Sequence, residues 1–352
     1  MAYRCRVAVQ SRQPAALYVE PARLKIARCA PIVPGRAIVS RSRHFRLRKL
    51  GFKGIGRGSG CAVEVLMNTV LVTGVRGKTG RQIAAALTRH KGVEVRGASR
   101  ETSEISGVRS VRFDWHEPAS WPDVVRGVSA IYLVKPKTED PASTVMAFLR
   151  LASEAERVVL LSEIGCENRE ESTDERKVEK IVEASSFDWT ILRPNWFMQN
   201  FAEPNFYLEA VRDTGVLQVP TGGQSVSFVD TRDIADVAAA ALIDSSHAGR
   251  AYTLTGPQAL TFGEVAERIG EVAGHQIRHA DPPLTDYLSK AAASGAGQSQ
   301  IEYYRRIYTC IQTGQTALIS AAVEQVTGHA SRSFAAFIEE NKEAWRSKPA
   351  LS

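Results

Sequence analysis

Three regularly spaced glycines constrain the fold of this chain more than any other feature of its sequence. Gly74, Gly77 and Gly80 stand between an apolar run at residues 69–73 and an amphipathic segment at residues 79–90. Glycines at such positions in a strand–turn–helix unit allow a tight turn, close approach of the backbone to a diphosphate, and packing of the helix on the strand. The helix N-terminus also offers free N–H groups to the anion. The segment therefore predicts a phosphate-binding loop.

Short apolar runs alternate with helical segments from residue 67 onward. The predicted strands are residues 69–73, 93–98, 111–113, 130–134, 158–162 and 189–192. The predicted helices between them are residues 79–90, 141–155 and 174–185. The runs are apolar throughout, as expected for strands covered by helices on both faces. The pattern predicts an α/β fold with a Rossmann-like, doubly wound parallel sheet.

The regular alternation ends after Pro194, and a smaller, mostly helical lobe is predicted beyond it. Its predicted elements are helices at residues 197–212, 233–243 and 261–273, a strand at residues 251–254, and short strands near Leu217 and Ser227. Thr261 is the expected N-cap of its helix, with Glu264 completing a capping box. We expect residues 67–194 to be mainly the cofactor lobe and residues 195–346 mainly the substrate lobe.

Most of the positive charge lies at the front of the chain. The formal net charge is +7, but residues 1–66 contain 14 of the 45 Lys+Arg and 2 of the 38 Asp+Glu, which leaves the body acidic. Nucleic-acid binding by the body thus loses its support. The basic segment is predicted to be disordered and outside the fold. One interpretation is a targeting or polyanion-binding extension. The other is that translation begins at Met67, so that this segment is not part of the protein.

No apolar run approaches the ~20 residues that cross a bilayer, so a membrane span is not expected.

The five cysteines show no CxxC pair and no metal-site spacing, and we predict reduced thiols, no metal and a cytoplasmic location. Cys166 follows a predicted strand, where a bystander role is favoured over a reactive one. The expected partner is a small-molecule substrate, and the sequence does not specify an oligomeric state.

The end of the second predicted strand indicates which dinucleotide is bound. Ser99 and Arg100 stand where NAD-specific sites carry a carboxylate for the ribose diol. A guanidinium group suits a 2′-phosphate, so NADP(H) is predicted in preference to NAD(H). Asp114 is expected to accept from the adenine amino group beside Trp115, although core packing alone would explain Trp115. The predicted cofactor-binding residues are Thr73, Gly74, Arg76, Gly77, Lys78, Thr79, Gly80, Ser99, Arg100, Asp114, Trp115, Val134, Lys135, Pro136 and Ser162.

Several sequence blocks resemble the NmrA-like branch of the atypical short-chain dehydrogenases over residues 67–346. They are the glycine loop and the segments at residues 189–194, 228–235 and 252–257. Residues 192–201 together with residues 177–182 look most similar to the festuclavine dehydrogenase group of ergot alkaloid biosynthesis and its bacterial relatives. The resemblance implies NADPH-dependent reduction of an imine or iminium. Relatives with similar blocks reduce quinones or only sense the cofactor.

The chain departs from ordinary short-chain dehydrogenases in its proton donor. None of its nine tyrosines has a lysine four positions later, and Lys177 is preceded at that spacing by Thr173. Without an acid, hydride addition to a ketone leaves an uncompensated alkoxide, whereas an iminium gives a neutral amine directly. A quinone gives a stabilised phenolate. The resemblance implies that Lys177 approaches the nicotinamide ribose as the catalytic residue, but the helical register leaves Glu175 and Glu179 as alternatives for the inward position.

Substrate is expected at the junction of the two lobes. Trp196 and Phe197 are predicted to form an apolar wall for a planar ring, and Asn195 and Asn200 to orient polar atoms. A ring cation would be attracted to these aromatic faces. The alternative interpretation is that the two aromatic residues only pack the hinge between the lobes.

Overall fold

The computed structural model describes residues 68–204 and 206–345, together with two short strands nearer the N-terminus. The chain divides into two units after Met67. In the first unit, β1 (Val19–Glu20) pairs antiparallel with β2 (Arg23–Leu24). The remainder of the basic segment, with its predicted disorder, targeting role and alternative start, lies outside the described residues.

Seven parallel strands form the central sheet of the second unit, in the order β11-β8-β7-β6-β3-β4-β5. These strands are β3 (Asn68–Thr73), β4 (Val93–Ser99), β5 (Val108–Arg112), β6 (Ala130–Val134), β7 (Arg157–Leu161), β8 (Asp188–Pro194) and β11 (Arg250–Leu254). Strands are added in one direction from β3 to β5 and in the other from β6 to β11. This confirms the predicted doubly wound fold, and it places the topological switch point between β3 and β6, where such sheets bind ligands.

Helices cover both faces of the sheet. One face carries α1 (Lys78–Leu87), α5 (Thr231–Ile243) and α9 (Ala322–Thr327). The other carries α2 (Trp121–Val125), α3 (Pro141–Leu151) and α4 (Asp174–Glu183). Successive residues of β3 alternate between the two layers, since Val70 and Val72 face the first and Leu71 the second. The all-apolar strands of the sequence are explained by burial on both faces.

A second hydrophobic core lies beyond the sheet. It is built by α6 (Phe262–Ala273), α7 (Leu284–Ala293), α8 (Gln298–Gln312) and α10 (Phe334–Asn341). Two small pairs accompany them: β9 (Val216–Gln218) with β13 (Arg278–Ala280), and β10 (Ser225–Val226) with β12 (Leu260–Thr261). Residues beyond Pro194 nevertheless supply α5, α9 and β11 to the sheet layers. The predicted boundary at residue 194 therefore does not coincide with the division between the two cores.

The helix predicted over residues 197–212 is wrong. Residues Met198–Asn200 form a single 3-10 turn, and a π-helical turn follows only at Ala210–Thr214. The interruption contains Pro204, which has no N–H and disfavours helical geometry in the residue before it. Other bounds also differ: β5 starts at Val108 rather than residue 111, α1 ends at Leu87 rather than residue 90, and α3 ends at Leu151 rather than residue 155. No helix in the described part of the chain is long and apolar enough to span a bilayer.

The predicted capping box at the start of α6 is present. The Thr261 N–H donates to Glu264 Oε2 at 2.7 Å, and the Glu264 N–H donates to Thr261 Oγ1 at 3.1 Å. We expect Thr261→Ala to lower the free energy of unfolding by about 1 kcal/mol, because an N-terminal amide of the helix loses its acceptor. Denaturant unfolding measures this. Ser289→Ala, within exposed α7, is the control and should show no loss; equal stability of the two variants would contradict the prediction.

Candidate functional site

The loop between β3 and α1 has the geometry of an anion cradle. Gly74 adopts a φ of +63°, and the Gly77 N–H donates to the Gly74 carbonyl at 2.8 Å to close the turn. Gly77 is the N-cap of α1, with no side-chain cap and no acidic residue in the first turn. The positive end of the α1 dipole thus faces no protein carboxylate within that turn, which suits a diphosphate.

Two threonines of this loop hold the framework together. Thr73 Oγ1 donates to the Tyr132 carbonyl at 3.0 Å and accepts from the Val134 N–H at 2.9 Å, which joins β3 to β6 at the switch point. The Tyr132 hydroxyl donates to Thr79 Oγ1 at 3.0 Å, and burial raises the pKa of Tyr132. The side chains of Thr73 and Thr79 are buried and already hydrogen-bonded. They position the loop, and only their backbone is left to meet a cofactor.

Lys78 connects the loop to the second lobe. Its Nζ donates to Asn200 Oδ1 at 2.8 Å and lies 5.2 Å from the ring centroid of Phe206. Burial lowers the pKa of Lys78, although the nearby Glu203 opposes this. Arg81, one turn along α1, forms an ion pair with Glu203. Asn200 and Lys78, predicted as substrate and cofactor contacts, are therefore brought together.

The end of β4 presents two guanidinium groups and one carboxylate. Arg100 is exposed, and Arg76 Nη1 lies 2.7 Å from Glu101 Oε2. Ser99 Oγ donates to the Glu101 carbonyl at 2.7 Å. Sequence reasoning missed Glu101, although it directly follows Arg100. Arg76 is therefore already paired with a carboxylate in this structure.

Trp115 belongs to an aromatic cluster on the second helical layer. Its ring centroid lies 4.6 Å from that of Phe113, 5.0 Å from Phe148 and 5.9 Å from Trp121, all in edge-to-face geometry. Trp115 is packed into this cluster but remains half-buried, so its contact with the adenine stays a prediction. Asp114 Oδ1 accepts from the backbone N–H of His116 at 3.0 Å and remains half-buried.

Five charged residues meet at the carboxyl ends of β6 and β7, and we call them the edge cluster. They are Lys135, Glu163, Arg169, Glu175 and Arg306. Lys135 forms an ion pair with Glu175, and Arg306 Nη2 lies 2.9 Å from Glu175 Oε1 and 3.6 Å from Glu163 Oε1. Burial would raise the pKa of Glu175, but the hydrogen bond and charge of Lys135, with Arg306, hold it below its ordinary value.

Sequence reasoning placed Lys135 and Glu163 at the strand ends and left Glu175 as an alternative, but it missed Arg169 and Arg306. Arg306 comes from α8, far along the chain from β6 and β7, and no local pattern connects these elements. Of the other residues predicted at this edge, Pro136 is buried and Val134 is half-buried where β6 ends.

The structure does not support Lys177 as the catalytic residue. Lys177 is exposed on α4, while Glu175 and Glu179 occupy buried positions of the same helix. The sequence did not specify which face of α4 points inward, and in the structure Lys177 lies on the outward face. Ser162 is also unavailable, because its Oγ donates to Glu179 Oε1 at 2.6 Å.

Glu179 is the centre of a buried ionic network. It is 0% exposed, accepts from Arg193 Nε and Nη2 at 2.9 and 2.8 Å, and accepts from Arg176 Nη1 at 2.5 Å. Burial would raise the pKa of Glu179, but the hydrogen bonds from Arg193 and Ser162 and the arginine charge hold it below its ordinary value. This network fixes α4 to β8 beneath the edge cluster.

Two predicted substrate contacts pack against other parts of the protein. Asn195 is buried; its Nδ2 donates to Ser227 Oγ at 2.8 Å and to the Thr316 carbonyl at 2.7 Å. Phe197 forms a parallel bridge with Val229 and packs against the first core. Asn195 is thus engaged inside the protein, while Phe197 is half-buried, and their contact with substrate stays a prediction.

Trp196 instead lies within an aromatic group of the second lobe. Its ring is stacked with those of Tyr308, at 5.9 Å and 27°, and Tyr207, at 6.4 Å and 14°. Phe206 meets Trp196 edge-on at 6.3 Å. The hydroxyls of Tyr308 and Tyr287 lie 3.2 Å apart. We call these five residues the aromatic wall; Phe206 is 43% exposed, so one edge of the wall is accessible.

Cys166 is a buried, free thiol. Burial raises its pKa to about 12, so it is protonated at neutral pH and is no nucleophile. The bystander interpretation holds.

One group among the described residues could present three ligand atoms to a metal ion, namely Asp233, Asp236 and His329. Arg332 already pairs with both carboxylates, which opposes a second cation there.

Comparisons with known proteins agree with this geometry. Residues 74–245 match a family model described as NAD(P)H-binding. YesF, an uncharacterized oxidoreductase of Bacillus subtilis, is 32% identical over 285 residues, which cover 80% of this chain and 97% of that protein. Festuclavine synthase I of Penicillium roqueforti is 29% identical over 295 residues, covering 79% and 99%.

A solved structure shows the same fold. The NADPH-dependent quinone oxidoreductase of Escherichia coli, complexed with NADPH, matches with a TM-score of 0.67 at 17% identity, covering 77% of this chain and 99% of that one.

Proposed function

Because this chain belongs to the NAD(P)H-binding, NmrA-like family of atypical short-chain dehydrogenases, and is an NAD(P)H-dependent reductase, we propose that it transfers hydride from NADPH to a cyclic iminium or imine. A role in alkaloid or other secondary metabolism is part of this proposal. The resemblance to the festuclavine group found in the sequence is confirmed at the level of the family.

The observation that carries the proposal is that no tyrosine stands beside α4 at the position of the usual proton donor. Thr173, at the position of the usual tyrosine, donates its hydroxyl to the Glu170 carbonyl at 2.9 Å, and Lys177 is exposed. A general acid typically contributes 10²–10⁴-fold to carbonyl reduction. An iminium nitrogen is already cationic, so hydride addition gives a neutral amine without proton transfer. The enzyme then contributes mainly positioning.

The aromatic wall supports a planar, cationic acceptor. Its accessible edge is Phe206, whose ring could contact an apolar ring system and attract a ring cation, whereas Tyr207 and Tyr308 are buried against Trp196. Quinone reduction is the alternative, since a quinone also accepts hydride without a strong acid. The quinone oxidoreductase among the solved structures favours this second class.

Different residues would bind the parts of the cofactor and the acceptor. Bound NADPH supplies the hydride. The N-terminus of α1 and the backbone from Gly74 to Gly77 would hold its diphosphate, and Arg76 and Arg100 its 2′-phosphate. The aromatic wall would exclude water from one side of the acceptor.

Incubation of the purified protein with NADPH and a set of acceptors tests the function. The set contains N-methyl-3,4-dihydroisoquinolinium, other cyclic imines and simple quinones, and the absorbance of the reduced cofactor is followed. We expect turnover with the iminium. Tight NADPH binding without turnover of any acceptor would overturn the proposal.

We expect Arg100→Ala to weaken NADPH binding about tenfold or more and to leave NADH binding unchanged. A hydrogen bond to a charged group contributes about 1.5–3 kcal/mol, and only NADPH carries the 2′-phosphate. Isothermal titration calorimetry with both cofactors measures the change. Arg109→Ala is the matched control, because Arg109 is an exposed arginine on β5 that lies 3.6 Å from Glu94. Equal losses for NADPH and NADH would contradict the assignment of Arg100.

A further inference from the structure

Helix α8 brings a tyrosine and a cation to the edge cluster. Tyr303 and Arg306 are three residues apart and therefore share one face of the helix. The Arg306 Cζ lies 5.3 Å from the ring centroid of Tyr303. Arg306 in turn contacts Glu175, in the first turn of α4, and Glu163, directly after β7. The pair thus reaches the part of the sheet edge where α4 lacks its own tyrosine.

Tyr303 is accessible and carries its proton. It is 39% exposed, so an acceptor at the sheet edge can reach it. Partial burial raises the pKa of Tyr303 to about 12; Glu163 adds to this and Arg306 opposes it. The phenol is therefore protonated at neutral pH. It can therefore donate a proton to an oxyanion that forms beside it.

Arg306 is suited to a new negative charge. Its Nε and Nη2 are buried and make no hydrogen bond to the described residues, and the contact of Nη2 with Glu175 is an ion pair without hydrogen-bond alignment. The edge cluster as a whole contains three cations and two carboxylates. A tyrosinate or oxyanion at this position would use N–H groups that are otherwise unsatisfied.

We propose that Tyr303 is the catalytic proton donor for acceptors whose oxygen becomes negative, with Arg306 stabilising the tyrosinate. The additional substrate class is cyclic conjugated ketones. This inference rests on the proposed NADPH-dependent hydride transfer, and it supplies from α8 the acid that the Tyr-x-x-x-Lys spacing would have supplied from α4.

The step balances as follows for a cyclic enone. The β-carbon takes a hydride, with its two electrons, from bound NADPH, and the π electrons of the carbon–carbon bond move to leave the negative charge on oxygen. The Tyr303 hydroxyl gives its proton to that oxygen, and the resulting enol converts to the saturated ketone. The tyrosinate beside Arg306 recovers a proton from water, and NADP⁺ leaves.

Two acceptors separate this role from a structural one. With NADPH, 2-cyclohexen-1-one needs a proton and N-methyl-3,4-dihydroisoquinolinium does not. We expect Tyr303→Phe to lower kcat for the enone about 100-fold and to change kcat for the iminium less than about threefold. Arg306→Gln should lower the enone rate at least about tenfold. Arg305→Gln, on the exposed side of α8 near Glu302, should leave both rates unchanged.

The possible results point in different directions. Equal losses with both acceptors would show that Tyr303 only positions the substrate, and an undiminished enone rate, or no enone reduction by the unmodified enzyme, would also overturn the inference. NADPH affinity of each variant, measured by calorimetry, checks its folding. Failure of the unmodified protein to bind NADPH would contradict the proposed function itself, whichever acceptor is used.

Discussion

Replacing Glu179 with glutamine is expected to lower the free energy of unfolding by about 1.5–3 kcal/mol, because Arg176 and Arg193 lose their buried carboxylate and keep only the more exposed Glu183 and Glu167 as partners. Glu179 is 0% exposed and is hydrogen-bonded to Arg176 and Arg193, whose side chains are each 11% exposed. Urea unfolding at neutral pH measures the loss.

The pH dependence of this loss has a definite sign. The pKa of Glu179 lies below its ordinary 4.5 in the folded protein, so the unfolded chain binds the proton more readily. The contribution of the carboxylate to stability is complete above the ordinary value and is lost as the pH falls through the folded-state pKa. Glutamine does not titrate, so the difference between the two proteins should shrink below about pH 4.

Glu171→Gln is the matched control, since Glu171 is 80% exposed and only 3.5 Å from Lys180. An exposed pair contributes about 0–1 kcal/mol. If Glu179→Gln cost no more than this control, the network would not be the stabilising connection between α4 and β8.

The sheet could be predicted from sequence because its determinants are local. Central strands such as β3 are apolar runs of the right length, and the glycine loop indicates how β3 joins α1. The position of β11 was not predictable in the same way. Its residues read as a strand, but pairing with β8 depends on contacts across the fold. The helix predicted over residues 197–212 was wrong because the aromatic residues at helical spacing were given more weight than the helix-breaking Pro204.

The same distinction between local and long-range determinants applies to the site. The backbone cradle follows from three glycines, whereas side-chain roles depend on register and on distant elements. Lys177 and Glu175 are two residues apart, yet only one of them faces inward. Asn195 was predicted to bind substrate, but its side-chain amide donates to Ser227 and to the Thr316 carbonyl. Tyr303 was found only because the tertiary fold places α8 over the edge cluster, and no sequence pattern records that contact.

Gly80→Ala is expected to weaken NADPH binding more than tenfold and to lower the free energy of unfolding by about 1–3 kcal/mol. A Cβ at residue 80 would lie 2.2 Å from the Gly74 carbonyl oxygen and 2.9 Å from the Val75 Cα. Both neighbours are backbone, so the loop has to move away from α1. The move separates the amides that should meet the diphosphate. Calorimetric titration and thermal unfolding measure the two effects.

Gly263→Ala separates this clash from the general effect of adding a methyl group to a helical glycine. Gly263 is exposed in the first turn of α6, and its added Cβ would meet only Thr261 Oγ1, at an ordinary 3.7 Å. Alanine is the better helix former by up to about 1 kcal/mol, so this control should be neutral or stabilising. A Gly80→Ala protein that kept the NADPH affinity of the control would show that the α1 N-terminus is not the diphosphate site, and the proposed cofactor geometry would have to be abandoned.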